Sequence, residues 1–223
     1  MNINYIWDIS TGYSTRAGKY KTKLQNKFIE KCLKNSKNLR ILDIGGGSGR
    51  FALPLSNNHF VTVIDPNKEA LELLRSRDKE QKIKFISDRF ENVNLSEKFD
   101  VVILIEVMNT FDDIKSILEK VSILLNKNGF VLFTDLNKTS IKFLYRKFMK
   151  HTHYPGVASY NDYKKLISET GYKIINVEGY NWIPLRVNSN SKCVNFFAMI
   201  EKILNLKQIT RFSPEIMFWI KKI

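Results

Sequence analysis

Four of the chain's ten glycines fall within five residues, in "RILDIGGGSGRFALPL", directly after an apolar run. A glycine-dense turn between a buried strand and a helix confines the chain to few architectures. It brings backbone N–H groups close to a ligand at a strand's carboxyl end, the arrangement used by open α/β sheets. Gly47, Gly49 and Ala52 also satisfy a relaxed G-x-G-x-x-A dinucleotide pattern. The turn alone therefore admits two ligand classes, a dinucleotide and a sulfonium nucleoside.

The surrounding sequence supplies the sheet. "LRILDI", "HFVTVID", "KIKFIS", "FDVVILIEV" and "FVLFTDL" read as short buried strands. Between them "SGRFALPLSN", "NKEALELLRSR" and "DDIKSILEKVSILL" read as helices, with Pro54 near a first turn and Asn126–Gly129 as a turn. This alternation through residue 135 predicts an α/β fold with a doubly wound, mostly parallel sheet covered on both faces. "KTKLQNKFIEKCLK" predicts a basic amphipathic helix ahead of the glycines. Beyond residue 135 the rhythm changes. "SIKFLYRKFMKHTHYPG" reads as a basic, aromatic helix, "YNDYKKLISETG" as a helix ended by Gly171, and "YKIINVEGY" as a strand. "NSKCVNFFAMIEKILNL" is a second amphipathic helix and "EIMFWIKK" a last strand. The whole reads as one domain: a helical cap over 1–37, a cofactor-binding core over 38–135, and substrate-side insertions over 136–163 and 180–212.

Asp43 separates the two ligand classes. It stands two residues before Gly45 at the tip of the first strand. A pyrophosphate against this turn would meet its negative charge, whereas a sulfonium and an ammonium would be attracted.

On these residues the chain resembles the class I S-adenosylmethionine-dependent methyltransferases, in their small-molecule, quinone-biosynthesis-like branch. "LDIGGGSG" looks like that family's first motif, which implies that Asp43, Gly45, Gly47 and Gly49 line the methionine part of S-adenosyl-L-methionine. "VTVIDPN" is similar to the second, implying that Asp65 accepts the ribose hydroxyls and Pro66 borders the adenine. "FISDRFENV" resembles the third, with Asp88 toward the adenine amino group and Arg89 offering a backbone N–H. "FDVVILIEV" resembles the fourth and ends at Glu106 on the sheet's carboxyl edge. The resemblance further implies a Rossmann-like sheet of seven strands with an antiparallel C-terminal strand, and helical lid elements at both ends. It also implies an N-terminal segment closing over the cofactor, for which Tyr13 and Arg16 are the candidates. Each side chain has a purely structural alternative. Asp65 can cap the next helix, Asp88 can serve as a turn carboxylate, Glu106 can act behind the contact layer or cap a helix, and Arg16 can be a solvated helix-start residue.

The acceptor is less legible. An oxygen acceptor generally needs a general base. His151, His153 and Tyr154 in "KHTHYPG" are the catalytic candidates, with Tyr160 behind them; His59 precedes the second strand and reads as structural. The i, i+2 spacing of the two histidines without a third ligand predicts no metal site. The insertions are rich in aromatic and basic residues, which suits an aromatic or lipid-like acceptor bearing a carboxylate or phosphate.

The net charge of +14 is uneven: +7 over residues 1–40, −3 over 41–135, and +5 in each of 136–185 and 186–223. Such a distribution is compatible with an anionic substrate, a membrane surface or nucleic acid, and equally with lysine-rich solvated helix faces. "IEVMNTF" after the fourth strand lacks the proline-containing turn of base-modifying enzymes, which disfavours an RNA substrate. The apolar face Phe196, Phe197, Ile200, Ile203 and Leu204 suits peripheral membrane contact or packing on the core. A non-enzymatic cofactor-binding protein is a third class. Two cysteines without framework spacing, no run long enough to span a bilayer and no signal-peptide order at the start predict a reduced, cytoplasmic protein.

Overall fold

The computed structural model describes residues 13–148 and 157–223, and its chain contacts divide into two units: residues up to Val93 with Ile183–Met199, and Asn94–Trp182 with Ile200–Ile223.

The first unit is built on three parallel strands, β1 (Arg40–Ile44), β2 (Phe60–Ile64) and β3 (Ile83–Ile86), in register Ile41↔Val61 and Val61↔Ile83. Four of the five residues of β1 and of β2 are buried, the pattern of strands covered on both faces, and it explains why they read as apolar runs. Helices α1 (Arg16–Leu33), α2 (Ala52–Ser56) and α3 (Lys68–Arg77) accompany them. Helix α1 buries Phe28, Ile29, Cys32 and Leu33 while its lysines at 19, 23 and 27 face solvent. Its start is fixed twice. Thr15 Oγ1 accepts from Gly18 N (3.1 Å) as an N-cap and donates to Val187 O (2.6 Å). Arg16 N then donates to Asn190 Oδ1 (3.1 Å) and Ala17 N to Ser189 O (3.1 Å).

The second unit holds β4 (Phe99–Ile105), α4 (Ile114–Leu124), β5 (Leu125–Leu136), α5 (Ile141–Phe148), α6 (Tyr160–Glu169), β6 (Tyr172–Tyr180) and β7 (Glu215–Lys222). Strands β4 and β5 are parallel, while β7 runs antiparallel to both β5 and β6. Phe133 of β5 stacks on Phe218 of β7 (4.7 Å between centroids), and the buried ring of Tyr163 tilts against both. Helix α6 opens on a reciprocal capping box between Ser159 and Asp162. Helix α7 (Cys193–Ile203) follows β6 in the chain. The strand order is β3-β2-β1-β4-β5-β7-β6, a seven-stranded, Rossmann-like sheet with the expected antiparallel final strand.

One local expectation is corrected. Asn126–Gly129, read as a turn before the fifth strand, lies inside β5 as an irregularity. Phe99 pairs with Leu125 and Val101 with Phe130, so β5 carries extra residues opposite Asp100. Asn126 Nδ2 donates to Asp100 Oδ1 (2.7 Å), holding the bulged segment against its neighbour. A β-carbon on Gly129 would lie 3.1 Å from Phe99 O, so the close approach explains the glycine.

Candidate functional site

The glycine turn begins where β1 ends. Gly45 N donates to Ile64 O (2.8 Å), continuing the β1–β2 pairing by one residue. Gly46 is required by close approach: a β-carbon there would stand 2.8 Å from both Asp43 Oδ2 and Val63 Cγ1. Gly49 adopts φ +87°, and its β-carbon would lie 2.3 Å from Leu74 Cδ1 on α3. Gly46 and Gly49 are thus packed closely against side chains of the unit's own core.

Asp43 is the site's electrostatic centre. It is 1% exposed, and its Oδ2 has no hydrogen-bond partner. Burial, with help from the Asp65 charge, pushes its carboxyl up to about 7, and the Arg50 guanidinium pulls the other way. Motif reasoning does not single out Arg50. It lies over the ring of Tyr13 (3.9 Å to the centroid) and that of Phe51 (4.5 Å), and its Nη1 donates to Thr22 Oγ1 (3.3 Å). Its position directly after the last glycine is the one available signal. Tyr13 therefore belongs to the turn's surroundings through Arg50. Arg16 is the first residue of α1, with an exposed side chain and its backbone N–H bonded to Asn190.

Asp65 follows β2 and is buried. Its Oδ2 accepts from Gly47 N and its Oδ1 from Asn67 N, both at 2.8 Å. Burial raises its carboxyl above the usual range against the pull of those two N–H groups. Helix α3 is capped by Asn67, whose side chain accepts from Ala70 N (3.1 Å), so capping is not the task of Asp65. Its carboxylate instead ties the glycine turn to the end of β2, and each oxygen retains a lone pair. Pro66 beside it is exposed. Past β3, Asp88 and Arg89 are exposed; Asp88 Oδ1 accepts from Arg89 N (2.7 Å) and Asn92 Nδ2 (3.1 Å), so the Arg89 N–H offered to a ligand is bonded to its own neighbour.

In the second unit, Glu106 immediately follows β4 with φ +63°, a left-handed conformation rare for a residue with a β-carbon. Its N–H donates to Thr134 Oγ1 (3.0 Å) on β5. Strain held at a strand's carboxyl end by a neighbouring strand is the pattern found at functional positions. Sequence patterns also give no hint of a buried cluster that begins one residue beyond Thr134. Asp135, the penultimate residue of β5, accepts from Leu136 N (2.7 Å), from the Tyr163 hydroxyl and from Asn109. Burial pushes the Asp135 carboxyl up to about 7, with Glu215 adding to the rise and the three donors opposing it. Burial and the adjacent carboxylate push the Tyr163 phenol well above its ordinary value.

His59 stands just ahead of β2; its Nδ1 accepts from Leu39 N (3.4 Å), and burial lowers its affinity for a proton. Tyr160 opens α6, its ring 6.3 Å from that of Phe218. His151, His153 and Tyr154 lie outside the described residues. Among the described residues no group of three or more His, Cys, Asp or Glu could hold a metal ion.

These residues fit the sulfonium nucleoside. A buried carboxylate oxygen without a partner lies against Gly46, where a β-carbon would clash with it, and its negative charge suits a ligand carrying positive charge and opposes a diphosphate. The Asp65 carboxylate next to the same turn has free acceptor capacity for a diol.

Comparison with known proteins agrees. The family described as a methyltransferase domain matches residues 16–197. The ubiquinone biosynthesis O-methyltransferase of Rickettsia typhi is 25% identical over 183 residues, covering 75% of this chain and 74% of the relative. Its counterpart in Pelagibacter ubique is 33% identical over 106 residues, 46% of this chain and 44% of that one. Among solved structures, the plantazolicin methyltransferase BpumL in complex with SAH has a TM-score of 0.65 at 19% identity, covering 96% of this chain and 89% of its own. The N-methyltransferase NodS from Bradyrhizobium japonicum WM9, in complex with S-adenosyl-L-homocysteine, has a TM-score of 0.65 at 13% identity, covering 97% and 90%. At these identities the structural matches speak for the fold.

Proposed function

This chain belongs to the S-adenosylmethionine-dependent methyltransferases, and we propose that it methylates an oxygen or nitrogen of a small aromatic or anionic metabolite. The bound cofactor supplies an activated methyl group on a sulfonium, transferred by in-line displacement. The protein's share is binding and alignment, which is worth several kcal/mol when reacting atoms are held about 3 Å apart.

In this reading Asp43 with Gly45, Gly47 and Gly49 holds the methionine end, Asp65 the ribose, and Pro66, Asp88 and Arg89 the adenine. Glu106, at the end of β4, Tyr13, just ahead of α1, and Arg16, at its start, complete the cofactor-binding set of this reading. The carrying observation is the unpartnered Oδ2 of buried Asp43 against Gly46. Small-molecule relatives acting on a quinone precursor support the acceptor class. Titration calorimetry with S-adenosylhomocysteine and with NAD tests the cofactor half. Tight binding of the first alone is expected, and NAD binding in its place would refute the reading. Incubation of metabolite extracts with labelled methyl donor then tests the acceptor half; label confined to RNA or protein would refute it.

A second reading, a lipid-like acceptor met at a membrane surface, draws on exposed apolar side chains. Ile141 (84% exposed), Leu144 and Tyr145 on α5, and Phe196, Met199 and Ile203 on α7, face solvent. Phe197, by contrast, packs on the cluster of Ala17, Ile183 and Val194. No helix among the described residues is long and apolar enough to cross a membrane. Sedimentation with neutral vesicles carrying a prenylated catechol tests this. Recovery in the supernatant would set it aside.

A further inference from the structure

The charges of α1 are not used by the reading above. Lys19, Lys23 and Lys27 follow one another at i, i+4 spacing, rising about 6 Å per step along one face of the helix. All three are exposed, and none pairs with any described residue. Like charges at this spacing destabilise a helix, by about 0.2–0.5 kcal/mol per pair. The single acidic residue of α1, Glu30, lies at the far end of the stripe. Glu30, at i, i+3 from Lys27, offsets the repulsion at that end only, leaving the Lys19–Lys23 end without an acidic neighbour on the helix.

The stripe is not a flat surface. It forms one wall of a cavity of about 600 Å³, whose other wall includes Tyr13 and Arg50. That volume falls within the range of small-molecule sites. Arg50 is fixed in place by its two aromatic contacts and by Thr22, so its guanidinium is preorganised rather than free to swing. Asn26 and Ser14 add uncharged donors to the same lining. Among the described lining residues, four cations stand against one carboxylate, with hydroxyl and amide donors beside them, which matches a ligand carrying two or more negative charges on compact oxygens. Lysines serve such ligands as point charges and arginine as a fork.

We propose that this groove along α1 is a binding site for a phosphorylated small molecule, separate from the glycine turn, with Lys19, Lys23, Lys27 and Arg50 as its anion-binding groups. A single carboxylate would leave most of these charges unanswered. A phosphate ester or diphosphate neutralises them and removes the repulsion along the helix. The site does not depend on the acceptor assignment. It shares Arg50 and Tyr13 with the surroundings of the glycine turn.

The test is calorimetry on the intact protein with inorganic pyrophosphate as the probe, in the absence and presence of saturating S-adenosylhomocysteine. The expected result is saturable binding of one pyrophosphate per chain in both conditions. Lys23→Glu combined with Lys27→Glu should weaken it about tenfold or more, since charge-assisted contacts are lost, while S-adenosylhomocysteine affinity stays within about twofold. Both positions are exposed, so the variant keeps its fold, which its S-adenosylhomocysteine binding verifies independently. Several results overturn the proposal: no saturable binding, unchanged binding in the double variant, or complete displacement by S-adenosylhomocysteine. The last would make the groove the carboxylate end of the cofactor site. Binding to anionic phosphatidylglycerol vesicles without binding to soluble pyrophosphate would also overturn it, in favour of a lipid headgroup surface. Failure of S-adenosylhomocysteine to bind wild-type protein would instead count against the cofactor reading.

Discussion

Replacing Asp43 by asparagine should make the ligand-free protein's resistance to unfolding far less sensitive to pH between about 4 and 7 while stripping it of cofactor affinity. The wild-type carboxyl is pushed up to about 7 in the folded chain from an ordinary value of 3.8. Between those values the folded state holds a proton that the unfolded state has released. Stability therefore falls as pH rises through this window, the reverse of a salt-bridged aspartate. A displacement of one pH unit in a carboxyl's titration corresponds to about 1.4 kcal/mol, so raising pH from 5 to 8 removes about 3 kcal/mol through this residue alone. The asparagine amide does not titrate, so that slope vanishes in the variant. The amide also brings an unsatisfied donor to a position where Oδ2 already lacks a partner, which subtracts about 1–3 kcal/mol at every pH without altering the slope. Urea unfolding of both proteins at half-unit steps from pH 5 to 8 isolates the difference, because the titration of Asp135 is common to both. Calorimetry on the same samples should show S-adenosylmethionine binding to wild type strengthening with pH and binding to the variant weak throughout. Parallel stability curves for the two proteins would refute the claim that Asp43 is buried at a cost. A variant with undiminished affinity would refute the claim that its charge serves the ligand.

Removing the Asp65 carboxylate, as Asp65→Ala, should weaken S-adenosylhomocysteine by about 1–3 kcal/mol in calorimetry and lower stability by freeing Gly47 N and Asn67 N. Glu106→Gly should raise stability in urea by about 1 kcal/mol by relieving the left-handed backbone, while initial rates of methyl transfer fall. Tyr163→Phe should destabilise the protein by about 1–3 kcal/mol above pH 7, where Asp135 is ionised and has lost a donor. The loss should shrink toward pH 5, where the Asp135 proton remains on the folded chain, and urea unfolding at the two pH values reads the difference.

The strands were legible because burial on both faces leaves largely apolar runs, of which Val101–Ile105 is uninterrupted. The last strand was legible from its apolar and aromatic composition, and its antiparallel direction from the family resemblance. Asp43 and Asp65 could be picked out because their tasks depend on local spacing from the glycines. What escaped depends on packing between distant segments. Nothing local in "FTDLN" or "YNDYKK" joins Asp135 to Tyr163, 28 residues apart, since that pairing exists only once α6 lies against β5. Arg50 escaped because the importance of its side chain comes from Tyr13 and Thr22, far upstream in the chain. The segment at Asn126–Gly129 has turn residues, yet register with β4 on both sides makes it a bulge. The division of capping between Asn67 and Asp65 needed atomic positions, since either residue type caps helices well.

Thr15, Arg16 and Ala17 are bonded to Val187, Asn190 and Ser189, more than 170 positions further along the chain. The opening turn of the first helix and this late loop are thereby riveted together, and a displacement of either drags the other. The start of α1 can therefore shift only by breaking these bonds or by carrying the late loop with it, which couples the two segments despite their distance in sequence.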